Sequence, residues 1–179
     1  MNKILCALFF AAQLAGCKVK DPFPQPLPTA NPLDQLPTAT QSGQYTFGCL
    51  VNGQAWLPAG NPLAGPLTSA GYTNSNFYLT ANRSVILNGA TTTQRIQLEI
   101  DSIRVAGTYL LKNATSRTAE LSDRERSCLF ITDAQHPATV QITRLDPVAR
   151  VVSGRFSFAL DTPGCGQITV TDGRFDVGF

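Results

Sequence analysis

The chain has 179 residues, 43% of them hydrophobic, with 14 basic and 12 acidic side chains and a formal net charge of +2. A charge this near zero gives neither a basic patch for nucleic acid nor an acidic field for cations. Beyond the first sixteen residues, no stretch is long or apolar enough to cross a membrane.

Residues 1–16 read as a secretion signal. Lys3 supplies a positive start, and the apolar run 4–12 has the length of a signal core rather than a membrane span. Leu14-Ala15-Gly16-Cys17 follows, the pattern of bacterial lipoprotein signals. The Cys17 thiol would take a diacylglycerol, and cleavage before it would leave Cys17 as the lipidated first residue of the mature chain. Several acyl chains, at about 0.8 kcal/mol per buried methylene, make a stable anchor where one does not. Lys18 is not the aspartate that retains lipoproteins at the inner membrane, so the expected location is the cell envelope, at the outer membrane.

Residues 18–44 hold Pro22, Pro24, Pro26, Pro28, Pro32 and Pro37 and almost no β-branched residues. This composition favours an extended polyproline tether at about 3.1 Å per residue over helix or ladder. The domain that follows, 45–179, has the size of a single core.

Within it apolar residues alternate with period two, and no segment keeps a helical period. A first hairpin is expected over 45–51 and 54–57 around Asn52-Gly53, a dipeptide that takes two positive φ angles at little cost. The Gly- and Pro-rich stretch 58–71 reads as a loop. Strands are expected in 76–87, ended by an Asn88-Gly89 turn, then in 95–100 and 107–111. Ile96, Leu98 and Ile100 face inward, and Arg95, Gln97 and Glu99 outward. The polar stretch 113–126 has no assigned structure. Strands over 128–132, 138–145, 151–160 and 167–179 follow at short intervals, with Val152, Gly154, Phe156, Phe158 and Leu160 on one face. About 8–10 short strands without helices imply an all-β antiparallel sandwich or barrel behind a proline-rich tether, with the choice between the two left open.

The last strand breaks its own alternation. Ile168 and Val170 place the apolar face on even positions, and Phe175, Val177 and Phe179 on odd ones. An extra residue at Asp172-Gly173 resolves this, as a bulge with Gly173 in the left-handed region.

Several motifs look familiar: LPTATQSG at 36–43, TFGCLVNG at 46–53 followed by Gln54-Ala55-Trp56-Leu57-Pro58, QITRLD at 141–146, VSGRFSF at 152–158 and TDGRFDV at 171–177. Together they resemble a family of uncharacterised lipoproteins from the Bacteroidota, a domain of unknown function. The resemblance runs from the lipobox to the C-terminus, and its first and last motifs are the specific ones. It implies an envelope location in a two-membrane bacterium and an all-β fold, and it carries over no catalytic residues. With Cys6 in the signal and Cys17 lipidated, Cys49, Cys128 and Cys165 remain, enough for one disulfide and one free thiol in an oxidising compartment. Cys49 belongs to the family motif and occurs in relatives without the other two, which favours Cys128–Cys165. The rival, Cys49–Cys165, needs the first and last strands to be neighbours. Asp101-Ser102-Ile103 fits the O-glycosylation pattern of secreted proteins of that phylum, making Ser102 a candidate acceptor. The sequons at Asn82 and Asn113 are discounted in a bacterial protein.

No residue pattern points to catalysis, a metal or a cofactor. The lone His136 follows Asp133 in an expected turn without a Gly-x-Ser-x-Gly elbow or further metal ligands, and reads as a solvated turn residue. Asp172 and Asp176 suggest a glycosidase-like acid pair. The simpler reading gives Asp172 to the bulge and pairs Asp176 with Arg174 on the outer face. Tyr45, Phe47, Trp56, Phe77, Tyr78, Tyr109, Phe156 and Phe158 are numerous enough to line a cavity, but a β core of this size requires about that many large side chains. The expected function is a non-enzymatic binding or structural module of the envelope with an unknown protein or glycan partner. The alternative is a lipocalin-like carrier of a small apolar ligand. Because most inward positions are large, the interior is expected to be packed, with any binding surface in the loops and 58–71 the first candidate.

Overall fold

The computed structural model describes residues 31–61, 63, 65–87, 89–113 and 117–179. The signal, Cys17, the prolines from Pro22 to Pro28, Asn88 of the second turn and residues 114 and 115 of the second sequon lie outside them. Among the described residues no helix is long and apolar enough to cross a membrane.

Among the described residues, eleven strands build two antiparallel sheets, packed as a sandwich and not closed into a barrel. The hairpin β1 (Thr46–Val51) and β2 (Gln54–Trp56) turns at Asn52 and Gly53, whose φ angles of +49° and +76° are the paired positive values of a tight hairpin turn. The meander β3 (Thr68–Thr73), β4 (Asn76–Leu87) and β5 (Ala90–Ile100) follows. The chain then crosses to lay β6 (Gly107–Leu111) on the edge of the opposite sheet and returns for β7 (Arg117–Asp123) and β8 (Cys128–Ile131). A second meander, β9 (Ala138–Asp146), β10 (Val151–Thr162) and β11 (Gly166–Gly178), closes against β1. The orders are β2-β1-β11-β10-β9-β6 and β3-β4-β5-β7-β8.

Two strands lie where composition reads as loop or is silent. β3 occupies the end of the 58–71 stretch, built from the small residues of TSAGYT. Its Gly71 pairs with Tyr78, and a side chain there would start 2.3 Å from the tyrosine ring. β7 lies within 113–126. Its Ala119 and Leu121 face the core, and its Asp123 is buried but satisfied by Gln94 Nε2 at 2.9 Å and the Arg126 amide at 3.1 Å.

The alternation expected for β5 and β10 holds: Ile96, Leu98 and Ile100 are buried, as are Val152, Gly154, Phe156, Phe158 and Leu160. The centre of the sandwich is a chain of rings, with Phe47 against Trp56 and Phe156, and Phe175 against Phe77 and Phe156. Gly154 is small because Phe175 fills its space, a Cβ there standing 2.7 Å from the ring. Of the aromatics considered as cavity lining, Phe47, Trp56, Phe77, Phe156 and Phe158 are buried in this core, whereas Tyr45 and Tyr78 are exposed.

Cys128 and Cys165 form a disulfide between the start of β8 and the β10–β11 turn, joining the two sheets at one end of the sandwich. The Arg126 guanidinium donates to the Cys165 carbonyl at 3.0 Å and the Thr162 hydroxyl to the Leu129 carbonyl at 3.0 Å beside it. The rival pairing met its topological condition, since β1 and β11 are neighbours. Cys49 nonetheless points into the core opposite Trp56, and it is free and fully buried.

The bulge in β11 is present, but its conformation differs from the expectation. Gly48 pairs with Arg174 and Leu50 with Thr171, so β11 carries one more residue than β1 across that interval. The left-handed residue is Asp172, at φ +53°, and Gly173 is not in that region. Aspartate tolerates this conformation better than most side chains. Gly173 is required by proximity instead, because a Cβ would lie 2.5 Å from the Phe156 carbonyl and 2.7 Å from its ring. Gly173→Val, and already Gly173→Ala, should therefore cost about 2–3 kcal/mol through forced separation of β10 and β11. An alanine variant with unchanged chemical denaturation would disprove this origin.

Candidate functional site

The outer face of the six-stranded sheet carries two linked features, the first a clasp on the segment that precedes β1. That segment belongs to the stretch whose prolines read as tether. It opens with one 3-10 turn at Pro32–Gln35, capped by the Asn31 side chain, and Leu36 is buried. Pro37 then seats on Gly48, where a Cβ would stand 2.6 Å from its ring. Glycine in the TFGCLVNG motif thus makes room for the strap 36–44.

Asp176 holds the strap. Expected as an exposed partner of Arg174, it is instead fully buried beneath residues 40–44. Its Oδ2 accepts from the Thr40 hydroxyl at 2.6 Å and the amides of Ser42 and Gln44 at 2.9 and 3.3 Å. Its Oδ1 accepts from the Gly43 amide at 2.8 Å and the Ser153 hydroxyl at 2.7 Å. Burial alone would raise the carboxyl pKa. The hydroxyls of Thr40 and Ser153 and the amides of Ser42 and Gly43 outweigh it and hold the pKa at about 2. Arg144 donates to the Gln41 carbonyl while paired to Asp146 at 2.7 Å. A buried carboxylate so saturated has no free lone pair for chemistry and acts as a structural staple.

The second feature adjoins the first. Arg174, freed from the expected pair, donates to the carbonyls of Pro37 and Asp172, each at 3.3 Å. Across the β10–β11 ladder it faces Arg155, and Arg155 in turn faces Gln141 of β9. These side chains, with Thr139, Ser157 and the bulge residue Asp172, line an open pocket of about 270 Å³ over Gly173.

A larger groove of about 560 Å³ lies beside residues 59–61 and 65–67, within the 58–71 stretch expected as the first candidate. Arg83, Arg95 and Arg124 reach it. Arg83 is committed to the Leu57 carbonyl and Arg95 to Asn82.

Among the other singled-out residues, Ser102 is exposed, in the bend after β5, at φ +57°. His136 and Asp133 share an exposed turn, where the Asp133 carboxylate accepts the amides of Gln135 and His136 at 2.8 and 2.6 Å. These backbone bonds hold the Asp133 pKa below the usual carboxylate range. Among the described residues no three metal-ligating side chains converge.

A family model, the domain of unknown function DUF6252, matches residues 70–177. The chain belongs to this family. The match spans β4–β10 whole, the last four residues of β3 and nearly all of β11, and so contains the Arg155–Arg174 pair, Asp172 and Asp176. No curated protein and no solved structure matches the chain.

The clasp was missed in the sequence because Asp176 lies on the outer face by parity, and its burial comes from a segment without hydrophobic periodicity. Ser42-Gly43 directly before the first strand, with Gly43 at φ +76°, is the one local turn signal that marks where the strap bends onto the sheet.

Proposed function

We propose that this chain is a lipid-anchored, non-enzymatic envelope protein that displays the outer faces of its sandwich to a partner outside the cytoplasm. The filled interior carries the reading: where Gly154 leaves space, the Phe175 ring occupies it. A carrier of the lipocalin kind must leave room for cargo, whereas a chain of packed rings favours recognition at the surface. The lipobox ending at Cys17 and the resemblance to Bacteroidota lipoproteins support anchoring, with the outer membrane favoured by Lys18. The strap suits a tethered protein, because it fixes the end of the tether to the sheet and so sets which face the domain presents.

Cys17→Ala should leave an unprocessed precursor and abolish partitioning into the detergent phase. A variant that still incorporates radioactive palmitate would refute the anchor. Native mass spectrometry of the protein from its own host should reveal no stoichiometric apolar small molecule, and finding one would restore the carrier.

A further inference from the structure

We propose that the pocket over the β11 bulge binds a hexuronate, a sugar carrying one carboxylate, through Arg155 and Arg174. This deepens the surface-recognition reading and rests on it.

The sheet places two like charges directly opposite each other, an arrangement that costs stability. Arg155 has no ion-pair partner among the described residues. Two other arginines each meet a carboxylate. Arg117 meets Asp101 at 2.6 Å and Arg144 meets Asp146 at 2.7 Å. On the outer face of the other sheet, burial raises the Glu120 carboxyl pKa and the nearby Arg95 offsets only part of that rise. What sets Arg155 and Arg174 apart is that they face each other across one ladder, and Arg174 is held in place: the Pro37 and Asp172 carbonyls fix it while leaving donors of its planar fork unused. A carboxylate suits that fork and would relieve the repulsion between the two guanidinia.

The rest of the lining narrows the ligand. Asp172 adds a carboxylate, so the pocket sums to one positive charge and opposes a multiply charged anion. It offers acceptors for hydroxyl groups instead, and Gln141, Ser157 and Thr139 supply further polar contacts. A single carboxylate on a ring of hydroxyls satisfies both halves. The volume, about 270 Å³, lies just below the roughly 300–1,000 Å³ typical of drug-sized ligand pockets and suits one sugar unit. The groove beside residues 59–61 and 65–67 has no such facing pair on its ladder, where Arg83 lies opposite Gln94 and Arg95 opposite Asn82.

The test is calorimetric titration of the purified full chain with sodium glucuronate, glucose and inorganic phosphate. Glucuronate should bind saturably, with glucose and phosphate at least about tenfold weaker. Arg155→Gln should lose at least about tenfold in glucuronate affinity while melting no earlier than the wild type, since it removes a like-charge contact. Asp172→Asn should weaken glucuronate and strengthen phosphate, and Arg95→Gln, on the outer face of the other sheet, should change neither. Phosphate binding as tightly as glucuronate, an Arg155→Gln variant with unchanged affinity, or no saturable glucuronate signal would each overturn the assignment. The anchor is judged separately by acylation of Cys17, so a chain that is acylated but blind to glucuronate sinks this pocket alone.

Discussion

Asp176→Ala should destabilise the domain by about 3–5 kcal/mol and release the strap 36–44 from the sheet. The figure follows from hydrogen bonds to a charged acceptor, at about 1.5–3 kcal/mol each, less what water restores to the exposed strap donors. Asp176→Asn should be nearly as damaging despite its identical shape. Each carboxylate oxygen accepts a backbone amide, Gly43 on Oδ1 and both Ser42 and Gln44 on Oδ2. Whichever way the carboxamide turns, its NH₂ faces a donor. Chemical denaturation measures the loss, and limited proteolysis before Thr46 should cut both variants faster than the wild type. An asparagine variant of wild-type stability would contradict this account of the clasp.

The same carboxylate sets a dependence on pH. Its pKa is about 2 in the fold against an ordinary 3.8, so protons bind more readily to the unfolded chain. Its contribution of roughly 2 kcal/mol is complete above about pH 4 and is lost as the pH falls through 2. Subtracting the Asp176→Ala curve from the wild-type curve should isolate that slope. A difference that stays flat from pH 5 to pH 1.5 would show that the carboxylate is not held in its charged form.

The sequence made some of this architecture legible and concealed the rest for physical reasons. Where one face is buried and the other wet, the pattern is visible: Ile96, Leu98 and Ile100, or Phe156, Phe158 and Leu160, alternate because the pleat does. Asn52-Gly53 announces its hairpin because few other dipeptides tolerate both angles. β3 was obscured because its Gly71 is shaped by Tyr78, a partner on another strand. β7 was obscured because its inward Asp123 is paid for by Gln94, another cross-strand partner. Sheet order is equally non-local, as β6 leaves the neighbourhood of β5 and β7 to pair with β9. At the bulge, parity gave the position but not the mechanism. Asp172 bends the chain, and Gly173 lets two strands approach. The arginine pocket depends on which residues face one another across β9, β10 and β11, which the quoted motifs contain but do not align.

Loss of the disulfide is the other large effect expected. Cys128→Ser and Cys165→Ser should each cost about 2–5 kcal/mol, and the double variant no more than either single one, because both remove the same bridge. The cysteines are 37 residues apart, for which the chain-entropy relation gives about 4 kcal/mol. Its position adds to this, since the bridge joins β8 of one sheet to the β10–β11 turn of the other and so opposes their separation at that end. Reduction should reproduce the loss in the wild type and leave the serine variants unaffected. Burial raises the pKa of the Cys49 thiol, so this cysteine should resist alkylation until the domain is unfolded. Peptide mapping that finds Cys49 in the bridge, or all three thiols free, would overturn the assignment.

Amide hydrogen exchange at Ser42, Gly43 and Gln44 tests most directly whether the end of the tether is built into the sheet. If Asp176 holds them as the geometry implies, these amides exchange only with global unfolding, at rates like those of β10 and β11. In the Asp176→Ala variant they should exchange far faster while the core strands stay protected. Exchange in the wild type at the rate of an unstructured peptide would mean that the strap is not clasped and that the tether does not set which face the domain presents.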